Sequence, residues 1–177
     1  MATNPFPTPF VGPTVQLAYA NTPSQPAPGS LADDGIMDVQ TAINLTTLGV
    51  FGTLVTNDPS VVQGWKYATG ALTDGVLGIL VRTSAIESRR DNAPPSYDKG
   101  VPANVVKFGR VWTTPEVAVN KHDAVYVRTV ANGALNQLGS LRNDNDGGNA
   151  QLVSGAKWMD TCIETGQSRI ELNQIGA

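Results

Sequence analysis

A chain of 177 residues is long enough for one compact domain that buries roughly 70% of its unfolded surface. Only 15% of its residues are charged, its net charge is −3, and 18 glycines and 12 prolines interrupt it; this excludes long helices, whole-chain disorder and the basic excess of a nucleic-acid binder. One cysteine, Cys162, and one histidine, His122, exclude an internal disulfide and a zinc site assembled from such ligands within one chain.

In chain order, residues 1–28 come first and read as an extended arm, with residues 29–177 forming a β-rich domain. The first 32 residues contain no Asp, Glu, Lys or Arg but hold seven of the twelve prolines. Proline at this density fixes φ, removes N–H donors and favours a polyproline-like path. Phe6, Phe10, Val11, Val15, Leu17 and Tyr19 make this arm more apolar than an ordinary flexible linker. Such side chains need a surface to bury them, either on their own domain or across a neighbouring subunit. No apolar run approaches the ~20 residues that span a bilayer, and the first ten residues lack the charged and apolar regions of a signal peptide, so the chain reads as soluble and made in the cytosol.

Residues 29–59 mix β-branched residues with Gly35, Gly49 and Gly52, a pattern of short, bent strands; within it, Ile36, Val39, Gln40 and Ile43 also have approximate helical spacing. Beyond Pro59, β-rich runs at 61–69, 76–83, 105–113, 123–130, 134–138, 150–161 and 168–172 alternate with turn residues. The fold class is therefore all-β, a compact barrel or sandwich carrying the N-terminal arm. Asn132-Gly133 between two runs has the chemistry of a hairpin turn, and Thr165-Gly166-Gln167 that of a second. Residues 84–105, with three prolines and the charged residues Glu87, Arg89, Arg90, Asp91, Asp98 and Lys99, read as a long exposed loop suited to contacts.

Chemistry is sparse. Asn143-Asp144-Asn145-Asp146-Gly147-Gly148 lacks the ligand spacing of a calcium loop and reads as a polar turn. Asp33-Asp34 and Asp144/Asp146 are the only close carboxylate pairs of interest, and His122 sits in a polar, solvent-facing turn. Cys162 reads as a small buried hydrophobe and the three tryptophans as core, with an aromatic platform for sugars as the alternative. No catalytic residue, cofactor or metal is assigned.

Gly29-Ser30-Leu31-Ala32-Asp33, Val76-Leu77-Gly78-Ile79-Leu80-Val81 and the Val105 to Trp112 run VVKFGRVW stand in the order seen in tailed-bacteriophage structural cement, or head decoration, proteins. So do Asp123-Ala124-Val125-Tyr126-Val127, the Asn-Gly turn, Leu138-Gly139-Ser140-Leu141-Arg142, Asp146-Gly147-Gly148-Asn149-Ala150 and Gly155-Ala156-Lys157-Trp158. Over roughly residues 29–173 the chain resembles that family. The resemblance implies a non-enzymatic β-rich protein on the outer surface of the virion capsid, commonly a homotrimer, that fastens major capsid protein subunits, with neither nucleic acid nor membrane as partner. No catalytic residue carries over. The arm and the Arg89-Arg90 loop are the expected contacts. A virion-surface carbohydrate- or receptor-binding module, with exposed aromatics, and a hydrolase built on His122, Asp144 and Asp146 are the rival readings.

Overall fold

The computed structural model describes residues 26–32, 35–82, 96–131, 137–164 and 166–173. These residues form eleven strands: β1 (Asp38–Asn44), β2 (Leu48–Val50), β3 (Leu54–Asp58), β4 (Gly64–Lys66), β5 (Val76–Val81), β6 (Ser96–Asp98), β7 (Pro102–Thr113), β8 (Ala124–Arg128), β9 (Leu141–Arg142), β10 (Ala150–Trp158) and β11 (Ser168–Leu172). The fold is all-β, with one short 3-10 turn at Asp146–Gly148 among the described residues.

Nine strands form one sheet in the order β1-β4-β3-β5-β7-β11-β10-β8-β9, and β1 also pairs with β7. That extra pairing closes β1, β4, β3, β5 and β7 into a five-stranded barrel. Its only parallel contact is β1 with β4, through Ile43 opposite Gly64 and Asn44 opposite Trp65. Closure leaves these strands without an open edge. The strand β7 is long enough to serve two structures: residues 102–108 face β1, and residues 109–113 pair with β11, which leads into a second layer of β10, β8 and β9.

Two cores follow from this arrangement. Ala42, Val55, Trp65, Leu77, Leu80, Ala103 and Val105 fill the barrel together with Phe51 and Tyr97. The rings of Phe51 and Tyr97 meet edge to face at 5.1 Å between centroids. The outer wall of the barrel, Leu54, Ile79, Val81 and Val106, packs against Val111, Val125, Val127, Leu141, Trp158, Ile170 and Leu172 of the second layer. Val105 and Val106 are both fully buried because β7 has a core on each face.

A bulge lets β5 serve both cores. Val55 pairs with Gly78 but Thr56 pairs with Val76, so Leu77 is the extra residue, and it turns into the barrel while Ile79 and Val81 face the second layer. Gly78 adopts φ 146° there, and a Cβ on it would stand 2.1 Å from the Val106 carbonyl oxygen.

Several sequence expectations change. The helical spacing over residues 36–45 is not used: β1 is a strand that buries Ala42 and Asn44 and exposes Val39, Thr41 and Ile43, since only an extended chain closes the barrel against both β7 and β4. The exposed loop expected over 84–105 ends early. Ser96–Asp98 is a strand, and Tyr97 is buried with its hydroxyl donating to the Val81 carbonyl at 2.7 Å and its carbonyl accepting from Asn44 Nδ2 at 2.8 Å. Of the expected 134–138 run, residues 134–136 lie outside the described residues, Gln137 and Leu138 belong to a turn, and a short strand follows at Leu141–Arg142. Asn132-Gly133 and Thr165 lie outside the described residues.

Candidate functional site

All eight expected contact residues, Phe6, Phe10, Val11, Val15, Leu17, Tyr19, Arg89 and Arg90, lie outside the described residues, as do Asp33 and Asp34. What the structure does show is how the arm is rooted. Ser30 N–H donates to the Ala27 carbonyl at 3.0 Å, with Pro28 and Gly29 between them and Gly29 at φ 79°. Proline followed by a glycine of positive φ is the sequence demanded by a type II turn. Downstream, Gly29 N–H donates to the Trp112 carbonyl, Trp112 N–H to the Ser30 carbonyl and Ala32 N–H to the Arg110 carbonyl, at 2.8 to 3.0 Å. The Arg82 N–H adds a bond to the Gly29 carbonyl at 3.0 Å. The root is thus an antiparallel strand-like clamp on β7. Ala27 and Pro28 belong to this clamped structure.

Beside the turn opens a cleft of about 520 Å³, lined by Pro28, Phe51, Thr113, Pro115, Glu116 and Glu164 among others. Its acidic floor is neutralised from behind. Both oxygens of Glu116 accept from Arg128 Nε, at 2.8 and 2.9 Å, and Oε2 also accepts from Arg142 Nη1 at 3.3 Å. Arg128 is only 1% exposed and reaches on to Asp146 at 2.8 Å, while Arg142 bonds Asp146 at 3.2 Å and Asp144. The Arg128 hydrogen bond holds the Asp146 carboxyl below its ordinary range, with help from the Arg142 charge. These arginines bind the polar turn 143–149 to β8 and β9. Asp144 and Asp146 are therefore ion-pair partners rather than a substrate-facing carboxylate pair.

The other candidates are equally structural. His122 is exposed at φ 73°, its backbone N–H donating to the Trp158 carbonyl at 2.7 Å. Cys162 is partly buried against the second core, and burial followed by the Asp160 charge pushes its thiol pKa up, the opposite of a reactive thiolate. Trp65 and Trp158 are fully buried, and Trp112 lies beneath the Arg169 guanidinium at 5.6 Å, so the three tryptophans form no exposed platform. Among the described residues no group of three or more His, Cys, Asp or Glu side chains is arranged to hold a metal ion. No helix there is long and apolar enough to cross a membrane.

A smaller groove of about 300 Å³ lies where β11 replaces β1 along β7, between Ile36, Phe108 and Leu172. Glu171 on its rim accepts from Arg110 at 2.8 Å and pairs with Lys157 at 3.1 Å, and these bonds lower its pKa from 4.5 to about 2. The folded state therefore favours the ionised carboxylate. Its contribution is complete above the unfolded pKa and is lost as pH falls from about 4.5 towards 2. Thermal melts across that window are expected to show a steeper acid loss for the wild type than for Glu171→Gln; equal slopes would contradict the assignment.

The Glu116–Arg128–Arg142–Asp146 cluster was the feature sequence reading missed. Its signal was there: two arginines, Arg128 and Arg142, precede an acid-rich turn in a chain where charge is scarce, and scarce charges tend to be paired when buried.

A family model described as structural cement protein (E217 gp24/Pam3 gp6) matches residues 15–173. A chain of the capsid of Myoviridae phage XM1 superposes with a TM-score of 0.70 at 16% identity, covering 91% of this chain and 98% of that one. The N base of head fiber gp8.5 of bacteriophage phi29 aligns at a TM-score of 0.38 and 11% identity over 80% of this chain and 98% of that one, too loosely to bear on the fold. No curated protein sequence matches the chain.

Proposed function

The chain belongs to the phage structural cement protein family, and from that premise we propose that it binds the outer surface of a phage head and fastens neighbouring major capsid protein subunits. Family membership carries a capsid-associated structural role and a place in the virion. The outer face, the major capsid protein as direct partner, a homotrimeric state and the lack of any enzymatic, nucleic-acid or membrane function belong to the proposal.

The observation that supports it best is the clamped root of the arm. The double core holds residues 27–32 with a ladder of backbone hydrogen bonds, and the uncharged, proline-rich residues 1–25 lie upstream of them. A proline-rich arm has fewer conformations to lose and so gives up less entropy when it docks. Repeated by symmetry, several such weak contacts give firm attachment through effective concentration. In this reading the arm (residues 1–28) supplies Phe6, Phe10, Val11, Val15, Leu17 and Tyr19 as contacts, with Arg89 and Arg90 adding a second patch from the domain (29–177).

Incubating purified protein with empty, undecorated heads of its phage and sedimenting them tests this directly. Saturable co-sedimentation with a fixed number of copies per head is expected; absence of binding would overturn the reading. The hydrolase rival predicts an activity lost in His122→Ala, Asp144→Ala or Asp146→Ala, whereas the cement reading expects occupancy to tolerate His122→Ala.

A further inference from the structure

The turn at Ala27–Ser30 does more than root the arm. Residues 29–32 run antiparallel to residues 110–112, and a straight continuation would carry the chain beside residues 113–116. Those four residues line one side of the 520 Å³ cleft. The chain leaves that path at the Pro-Gly turn, so Pro28 stands on the rim while the strip 113–116 faces an open cleft. Among the described residues the lining is made mostly of Pro, Thr, Val, Phe and Gly; its carboxylates there are Glu116, held by Arg128 and Arg142, and the exposed Glu164, and no Lys or Arg lines it. Such a cleft suits an extended, uncharged, apolar peptide, the type of ligand that proline-rich segments provide.

One segment of this chain has that chemistry. Residues 1–25 carry no charge, five prolines and the aromatic residues Phe6, Phe10 and Tyr19. At about 3.1 Å per residue an extended polyproline path of this length reaches ~78 Å, far enough to pass from one copy to the next. The Ala27–Ser30 turn already directs the chain away from the line of the 113–116 strip, so to enter its own cleft the segment would have to reverse again just upstream of Ala27. The geometry points to an exchange: residues 1–25 of one copy dock in the cleft of a second copy, against the 113–116 strip. This inference deepens the reading of the arm given above and rests on it.

The test uses the full chain with a photo-crosslinking benzoylphenylalanine placed at exposed Thr114 or exposed Glu164, irradiated without heads over a dilution series up to the solubility limit. The expected product is a band of two-chain mass on a denaturing gel, with mass spectrometry joining the cleft position to residues 1–25. Crosslinks to residues 1–25 within a single chain would show the arm in its own cleft and overturn the exchange. Absence of any crosslink to residues 1–25 at either position would overturn it as well. Head sedimentation separates the two ideas: decoration without the crosslink refutes the exchange alone, and the crosslink without decoration refutes the cement reading alone.

Discussion

Gly78→Ala is expected to abolish the native barrel or lower its melting temperature by at least ~8 °C, the equivalent of a loss of about 4 kcal/mol in a domain of this size. A Cβ at this position meets the Val106 carbonyl oxygen at 2.1 Å and Val105 Cγ1 at 2.8 Å, and the backbone sits at φ 146°. The carbonyl cannot retreat, because Val106 is paired with Ile79 one step along the same ladder and is buried in the second core. Relief requires undoing the bulge, which would send Leu77 out of the barrel and shift the register by which β5 serves both cores. Gly100→Ala is the matched control. It has φ 81° with nothing within 4 Å of a new Cβ, so it carries only the ~1–2 kcal/mol strain of a left-handed alanine. Circular-dichroism melts of the two variants check the point; similar melting temperatures would contradict the close-approach account.

Arg128→Ala comes second, with an expected loss of about 3–5 kcal/mol, or ~6–20 °C in melting temperature. Arg128 is buried and satisfies Glu116 through Nε and Asp146 through Nη1. Removing it leaves the Glu116 carboxylate, 10% exposed, leaning on Arg142 alone. The cost comes chiefly from the charge left behind, since a buried pair that is broken loses far more than a surface pair contributes. Arg128→Lys keeps the charge but cannot span both carboxylates, so an intermediate melting temperature is expected. A loss no greater than that of an exposed arginine would show the network to be ornamental. The variant also reports on the cleft, because Glu116 forms part of its lining.

Local patterns in the sequence were informative wherever a strand had one dry and one wet face. The run 168–172 matches β11, where Ser168, Ile170 and Leu172 point inward. The run 76–83 contains β5 for a different reason: it is continuously apolar because that strand is buried on both faces. They were uninformative where the outcome depends on a distant partner. The closure of β1 onto β7 joins segments some sixty residues apart, and Val39 and Ile43, which suggested a helix face, ended up on the outside of the barrel. Tyr97 lay in a polar, proline-flanked stretch and was read as loop, yet it fills the barrel because its hydroxyl and its backbone carbonyl both find partners there. The arm was legible as chemistry, through missing charge and abundant proline, whereas the cleft beside its root was not, since that depends on the Pro-Gly turn meeting the end of β7 in space.

Head occupancy by the full-length protein and by a variant lacking residues 1–25 tests the account most directly. The deletion stops at residue 25 so that Pro26, Ala27 and Pro28 stay in place for the Ala27–Ser30 turn. The truncated protein is expected to keep its all-β circular dichroism and its melting temperature but to leave empty heads undecorated and to lose its oligomeric mass. Wild-type occupancy and oligomeric mass in the truncated protein would contradict it.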